Sequence, residues 1–348
     1  MIQAFLVIQF ITYLLSLAEE RIKKYVKPSY VVLAIILILC IGLRKIGIDN
    51  DSEHYEMYYN NYDDKLLMIS VEPSFRWLAH FLNYFTGDVH AILLVYAAIA
   101  VTIKFIAFKK LFDNRFLPII VYMGYTLIMQ EMTQIRAGVV GGLVLLSLIP
   151  LSEGRKKVTF LILCLCCFIH YSAIALFPML FLNNKDMSMR KRLIWASIIP
   201  AAYIMHLCGL NVVLNLPIPY LGDKLQSYQT LRDKGILGSD INVFNAVLLV
   251  TIFTYYYVMY FYDTIIAYNK YLPIMLKMTG ISVVIFVIMS FVPVLAYRIS
   301  DLYGMTNILL FSCIAYTIKP NWLARTLVYV VGLSLFLINV FFTKLLHP

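Results

Sequence analysis

Residues 91–108, which read AILLVYAAIAVTIKFIAF, decide the fold class of this chain. An α-helix over this stretch would be roughly 27 Å long, close to the thickness of the hydrocarbon core of a bilayer. Similar apolar stretches recur along the 348 residues, and 61% of the chain is hydrophobic while only 14% is charged. We therefore expect an all-α, polytopic integral membrane protein.

Further spans are predicted on both sides of this stretch, with a hairpin of two short helices over residues 158–182 that has His170 near its outer apex. We expect about twelve transmembrane helices, plus re-entrant or interfacial helices, with both termini outside. The predicted single spans cover residues 1–18, 30–43, 91–108, 116–129, 135–150, 193–210, 243–262, 272–292, 302–317 and 323–342.

The charge pattern sets the orientation of these spans. The net charge of +10 would suggest nucleic acid in a soluble protein, but here the basic residues lie in short loops between spans. Such loops stay in the cytoplasm and set the orientation of the spans. This role accounts for the positive charge, so we expect no nucleic-acid partner. The basic loops read RIKKYVK, KKLFDNR, SEGRKK, NNKDMSMRKR, DTIIAYNK and IKPNWLAR.

The chain is predicted to form one transmembrane domain over residues 1–348, with two long outer loops. The loop at residues 44–88 is rich in acidic residues and contains an interfacial or re-entrant helix at residues 71–87. The loop at residues 211–242 contains Pro217, Pro219 and Gly222, which break any span, and is expected to cap the outer face.

Arg44, Arg136 and Arg298 lie at the outward ends of predicted spans, on the side that Lys and Arg normally avoid. Arg136 follows a polar turn at residues 130–134 and begins a helix rich in glycine. Helix N-terminal N–H groups, a guanidinium fork and small residues together favour phosphate binding. The alternative for Arg136 is an interfacial arginine that reaches the headgroups above a glycine packing face.

Two further side chains have competing interpretations. Arg298 ends a span that carries Pro293, and Asp301 lies three positions on, so anion binding and a local ion pair both fit. His170 lies at the middle of an apolar stretch, where an imidazole can act as a base or donate to a phosphate. A histidine that bonds to backbone at a hairpin turn is the alternative.

Carboxylates near these cations are candidate bases for the acceptor hydroxyl of a glycosyl transfer. Asp49 and Asp51 follow Arg44, and Glu72 lies in the turn before the interfacial helix. We expect no metal site and no cofactor. The cysteines lie in apolar runs, where Cys behaves as a small hydrophobe, and the histidines have no metal-ligand spacing.

Five motifs occur in order along the chain: Arg44, Gly47, Asp49 and Tyr55; Glu72 and Pro73; Ile135, Arg136 and Gly138; Phe168, His170 and Ser172; and Tyr297 and Arg298. In this order they resemble the EpsG family of bacterial Wzy-type polysaccharide polymerases. One departure concerns the first motif, where an acid with Tyr four positions on is usual. Asp51 has that spacing to Tyr55, whereas Asp49 has the spacing to Gly47.

The resemblance implies a metal-independent membrane glycosyltransferase of the bacterial inner membrane, with an architecture similar to that of GT-C enzymes. Its site would face the periplasm or exterior and join repeat units of O-antigen, capsule or exopolysaccharide carried on undecaprenyl pyrophosphate. A chain-length regulator and a flippase of the same pathway are the implied protein partners. In this interpretation Arg44, Arg136 and Arg298 bind the pyrophosphate, and Asp49, Asp51, Glu72 or His170 acts as base. Tyr55, Gln134, Tyr297 and Tyr303 would contact the sugars.

Two other classes of function also fit the sequence. A lipid-linked glycan ligase or another membrane glycosyltransferase would share the arginines and the cavity and differ only in its acceptor. A polysaccharide or lipid transporter would also be polytopic, but it would place its polar groups near the bilayer midplane rather than at one surface.

Overall fold

The computed structural model describes residues 1–69, 71–209 and 241–346, and these residues are predominantly helical. A π-helical segment (Leu127–Thr133) precedes α8, a 3₁₀ segment (Tyr171–Phe181) follows α9, and a second π-helical segment (Ile338–Phe342) follows α16. The α-helices are α1 (Ile2–Ala18), α2 (Lys23–Gly42), α3 (Ser52–Asn60), α4 (Lys65–Met68), α5 (Pro73–Asn83), α6 (His90–Leu111), α7 (Leu117–Tyr125), α8 (Ile135–Ser152), α9 (Lys156–Ile169), α10 (Met189–Leu207), α11 (Ala246–Tyr260), α12 (Tyr262–Ile266), α13 (Leu272–Ile288), α14 (Pro293–Tyr303), α15 (Asn307–Ser312) and α16 (Asn321–Leu337).

The bundle confirms the predicted class, a helical membrane protein. Among the described residues, five helices are long and apolar enough to cross a bilayer: Lys23–Gly42, His90–Leu111, Ile135–Ser152, Pro293–Tyr316 and Asn321–Phe342. Shorter apolar helices lie between them, including α1, α11 and α13. Helix α6 packs against α2 and α8, and α7 packs against α1 and α16. The count of about twelve crossings remains a prediction.

The loops that the charge pattern places in the cytoplasm gather at one end of the bundle. Arg325 donates to Glu20 at 2.8 Å, which joins the last basic loop to the first. The side chain of Asn269 donates to the Leu111 carbonyl, and that of Asn184 donates to the Lys270 carbonyl. We call this end the basic end. The candidate site residues lie at the opposite end.

A short helix is present in the segment predicted to be interfacial, and two packed legs are present where the hairpin is predicted. Their placement in the membrane stays a prediction. Helix α5 covers eleven residues, so at 1.5 Å per residue it is roughly 16 Å long and too short to cross a bilayer. It buries Phe75 and Ala79 and exposes Trp77 and Phe81. Helix α9 and the 3₁₀ segment pack against each other as two legs, and His170 joins them in an extended conformation.

Two local expectations are wrong. The polar turn at residues 130–134 is largely a π-helical segment that ends at Gln134, and it buries the side chains of Gln130 and Glu131. Arg298 does not end the preceding span, because that helix ends at Ile288 and α14 begins at Pro293. Proline favours the first turn of a helix, where its missing N–H loses no bond. Arg298 therefore lies near the start of the following span.

A buried ion pair lies between α6 and the start of α8. Lys104, the lone charge of the stretch at residues 91–108, donates to Glu131 and to the Gly138 carbonyl. Both charged side chains are inaccessible to solvent. The pair allows two charges to enter an apolar bundle because each neutralises the other, and it fixes the π-helical segment against α8.

The predicted capping loop at residues 211–242 lies outside the described residues, except for Ile241 and Asn242.

Candidate active site

A cavity of about 710 Å³ opens at the end of the bundle opposite the basic end. Its walls come from the loop after α2, the π-helical segment, the first turns of α11 and α14, the last turns of α13 and the C-terminal segment. Four predicted site residues line it: Asp51, Gln134, Tyr297 and Arg298. The described polar residues of the wall also include Gln130, Asn245, Ser282, Asp301, Asn307 and Asn339.

Arg298 presents an exposed guanidinium to this cavity. The alternative of a local ion pair with Asp301 is not observed, because no carboxylate of the described residues lies within 4.0 Å of the Arg298 nitrogens. The Oδ2 atom of Asp301 is itself buried without a hydrogen-bond partner among those residues. The cavity wall therefore carries a cation and a carboxyl group that do not neutralise each other by direct contact.

Asp51 lies in the cavity wall within the electrostatic reach of both predicted anion-binding arginines. Burial, together with the nearby charge of Asp49, raises the pKa of Asp51 above its ordinary value. The positive charges of Arg136 and Arg298 both act in the opposite direction. Helices α8 and α14, which carry these arginines, pack against each other. Asp51 is thus a cavity carboxylate that the positive charges of both arginines reach.

Arg136 does not line the cavity and instead belongs to a three-residue cluster beside it. Glu72, at the N-cap of α5, accepts from Arg136 Nη1 through one oxygen and contacts Nδ1 of His170 at 2.7 Å through the other. Burial alone would raise the pKa of Glu72, but the hydrogen bond to His170 and the charge of Arg136 outweigh it and lower the pKa. Glu72 is therefore held as an anion that orients its two partners.

This cluster accounts for the position of His170 at the apex of the hairpin. The alternative of a histidine bonded only to backbone is not what the structure has, because the imidazole contacts a carboxylate from a distant loop. Beside the cluster lies an apolar groove of about 370 Å³. Its walls include Ser74, Trp77, Phe81, Tyr96 and Phe168.

Arg44 and Asp49 do not reach the cavity. Arg44 donates to Asp49 Oδ2 at 2.7 Å and to the carbonyl oxygens of Ile41 and Met132, and both charged side chains are fully buried. The other oxygen of Asp49 accepts from the backbone N–H groups of Asp51 and Ser52. These contacts leave neither side chain accessible to a ligand. The sequence-based roles of Arg44 as a pyrophosphate ligand and of Asp49 as a base therefore do not fit the geometry.

Two predicted sugar contacts are also occupied within the protein. The Tyr55 hydroxyl donates to the Thr133 carbonyl at 2.9 Å, and the Tyr303 hydroxyl donates to the Ala175 carbonyl at 2.9 Å. Both tyrosines are buried. Each hydroxyl joins a loop or helix of the site to a neighbouring segment. The two tyrosines therefore stabilise the walls of the site, and their hydroxyl groups are already used within the protein.

The glycines of α8 make room for protein atoms. A Cβ at Gly138 would lie 2.5 Å from Glu131 Oε2 and 2.8 Å from the Gln130 carbonyl oxygen. A Cβ at Gly141 would lie 2.7 Å from Gln130 Oε1. Of the two alternatives for these glycines, the packing face fits this helix and close approach of a phosphate does not. They let the π-helical segment pack against it.

Sequence reasoning missed Gln130, Asp301 and Lys104 as parts of the site and its support. A charge within an otherwise apolar stretch was the available signal for Lys104. For Asp301 the sequence indicates only a possible ion pair with Arg298. Its position in the cavity wall, apart from Arg298, can be read only from the tertiary structure. Within the described parts of the chain, no three His, Cys, Asp or Glu side chains come together in a group that could hold a metal ion.

Comparison with known proteins gives one match. Searches of curated proteins and of solved structures find no match. The model of the EpsG family matches residues 27–347, which is nearly the whole chain and includes each motif described above. This chain belongs to the EpsG family.

Proposed function

We propose that this protein is a membrane polysaccharide polymerase that joins repeat units carried on undecaprenyl pyrophosphate. The observation that carries the proposal is the cavity lined by Arg298, which no carboxylate of the described residues pairs with, and by Asp51, on which the charges of Arg298 and Arg136 both act. EpsG family membership supports the same activity class. The active site would face the outer side of the bacterial inner membrane, within the twelve-crossing, GT-C-like arrangement expected from the sequence.

The chemistry needs three things of the site. A hydroxyl of the acceptor sugar attacks the anomeric carbon of the donor glycan, and the bond from that carbon to the pyrophosphate oxygen breaks. The bonding electrons leave with the lipid pyrophosphate, and the hydroxyl proton passes to a base. The site must therefore stabilise developing negative charge, accept a proton and keep both sugars oriented.

Arg298 is the primary pyrophosphate ligand in this proposal because it lines the cavity and pairs with no carboxylate in the parts of the chain that the structure describes. A guanidinium fork binds two phosphate oxygens at once and stabilises the charge that builds up in the transition state. Arg136 supplies a second cation from the neighbouring cluster, where Glu72 holds it in place. Glu72 is thus a positioning residue, and His170 is held by the same carboxylate.

Asp51 is the preferred base among the predicted candidates. It lines the cavity, whereas the Asp49 carboxylate is paired with Arg44 and accepts from backbone N–H groups. The Glu72 carboxylate is bound by Arg136 and His170. A raised pKa makes a carboxylate a stronger proton acceptor. Gln134 and Tyr297 line the same cavity and would bond or stack with sugars. The apolar groove beside Arg136 suits the polyprenyl chain of a lipid-linked substrate.

The experiment is a gel profile of surface glycans from a deletion strain, complemented with the wild-type gene, with Arg298→Ala or with Arg190→Ala. Arg190 is an exposed arginine at the basic end and serves as the control for loss of one cation. We expect the deletion strain and Arg298→Ala to carry a single repeat unit in place of long chains, with normal protein levels. The wild type and Arg190→Ala should restore long chains.

Three results would contradict the proposal. A deletion strain without any surface glycan would indicate a ligase or a flippase, and an unchanged profile would indicate an unrelated function. Long chains in the Arg298→Ala strain would remove Arg298 from the pyrophosphate site. Arg298→Lys keeps the positive charge but cannot form two parallel hydrogen bonds to a phosphate. If those two bonds are needed, this variant should also fail to restore long chains.

A further inference from the structure

A second polar cavity, of about 290 Å³, lies at the basic end of the bundle. It is formed between the end of the 3₁₀ segment, the start of α10 and the first turns of α13. Lys185, Lys191 and Lys277 line it together with Trp195. The proposed function uses none of these residues, and they lie at the end of the bundle away from Arg298.

Lys277 is the buried member of this group. Only 7% of the residue is exposed, and its ammonium donates to the carbonyl and side-chain oxygens of Asn183 at 2.6 and 3.1 Å. An ammonium has three donors, so this arrangement leaves one for a ligand in the cavity. Lys191 is close enough for its positive charge to act on Lys277, so two like charges lie near each other at the cavity wall.

No internal anion neutralises this group among the described residues. No carboxylate there lies within 4.0 Å of the three lysine ammonium groups. The nearest loops do contain acids, but these are engaged elsewhere. Asp263 pairs through both oxygens with Arg192, and Asp186 accepts from the Tyr262 hydroxyl at 2.5 Å. Three cations thus line a cavity that no carboxylate of the described residues neutralises by direct contact.

The wall of the cavity also contains apolar side chains. Phe181 is 85% exposed and Ile194 is 62% exposed, and both line the cavity. Exposed apolar side chains at the end of a membrane-spanning bundle suit contact with acyl chains. Trp195 adds an amphipathic ring of the type that lies at headgroup depth. The cavity therefore offers cations to a headgroup and an apolar wall to the chain attached to it.

We propose that this cavity binds the phosphate headgroup of an anionic phospholipid from the leaflet at the basic end. Basic pockets between helices on the cytoplasmic side of membrane proteins suit such headgroups, and each lysine adds attraction to an anionic lipid. Lys277 contacts the phosphate from the base of the cavity, and Lys185 and Lys191 contact it from the rim. The acyl chains lie against Phe181 and Ile194.

The test uses the purified full-length protein in detergent and measures phosphatidylglycerol binding by native mass spectrometry, with phosphatidylethanolamine as the zwitterionic comparison. The variant is Lys185→Gln/Lys191→Gln, because both lysines are exposed and their loss leaves the Lys277 contacts intact. The matched control is Lys109→Gln/Lys110→Gln, which removes two exposed lysines at the same end of the bundle, outside the cavity.

We expect the cavity variant to bind phosphatidylglycerol about 30-fold more weakly, the effect of losing two lysine–phosphate attractions at a membrane surface. The control should stay within about 2-fold of the wild type because its lysines lie outside the cavity. Equal losses in the two variants would overturn the proposal in favour of diffuse surface charge. Equal binding of the two lipids would overturn it as well. Displacement of the lipid by excess inorganic phosphate would reassign the cavity to a free anion.

Discussion

Replacing Arg44 by methionine tests whether the arginine is a structural clamp or a ligand. The Arg44 and Asp49 side chains are fully buried and 2.7 Å apart, so Arg44→Met leaves a buried carboxylate without its cation. Breaking such a pair typically costs about 3–5 kcal/mol. For a chain of this size we expect the melting temperature to fall by about 6–10 °C.

A double variant separates the lost charge from other effects of the substitution. Asp49→Asn keeps the Oδ1 atom that accepts from the backbone of Asp51 and Ser52, but it removes the negative charge. Arg44→Met/Asp49→Asn therefore has no unpaired buried ion. We expect the double variant to be more stable than Arg44→Met by about 2 kcal/mol, a coupling energy in the range found for contacting residues.

The assay is thermal unfolding of the detergent-purified protein, followed by size-exclusion chromatography, alongside glycan profiles of the same variants in cells. The clamp account predicts that polymer is lost with stability in Arg44→Met and recovers in part with stability in the double variant. An Arg44→Met protein with a wild-type melting temperature and no polymer would refute this reasoning, and Arg44 would then be a ligand.

Three further changes have defined outcomes. Glu72→Gln should lower stability by about 2 kcal/mol and abolish long chains, because a charge-assisted hydrogen bond is lost at each of its partners; unchanged melting temperature and chain length would contradict this. The raised pKa of Asp51 should give the polymerisation rate of reconstituted protein an acid limb above pH 3.8, the ordinary value. Because the pKa of Asp51 is raised in the folded protein, its protonation favours the folded state, and it should not lower the melting temperature over that pH range. A polymerisation rate that is independent of pH would exclude Asp51 as the base. Gly138→Ala should lower stability by about 1–3 kcal/mol because its Cβ meets the Gln130 carbonyl oxygen at 2.8 Å. Gly87→Ala, whose Cβ meets open space, is its control, and equal melting temperatures for the two would contradict the packing argument.

The fold class followed from the sequence because apolar length and loop charge are local properties. The two packed legs around His170 were also expected, since basic loops on both sides of a polar apex disfavour a single crossing. The interfacial position of the helix after Glu72 stays a prediction. The position of Arg298 did not follow. A proline can end one helix or begin the next, and at Pro293 only the backbone geometry decides between them.

The different partners of the three arginines could also be identified only from the structure. All three lie at membrane edges in the sequence and carry the same charge. Arg44 is neutralised by an aspartate five positions on, Arg136 by a glutamate from a distant loop, and Arg298 by no carboxylate in the described residues. Spacing alone cannot distinguish a local pair that forms at Asp49 from one that does not form at Asp301, because side-chain direction depends on the packing of the helices.

Affinity for undecaprenyl pyrophosphate is the most direct measure of the central claim, that the Arg298 guanidinium holds the lipid diphosphate in the large cavity. Purified wild-type, Arg298→Ala and Arg190→Ala proteins would be titrated with the lipid in matched detergent. We expect Arg298→Ala to bind about 10- to 100-fold more weakly, the effect of losing a hydrogen bond to a charged group, and Arg190→Ala to bind as the wild type does. Equal affinity of all three proteins would contradict the account.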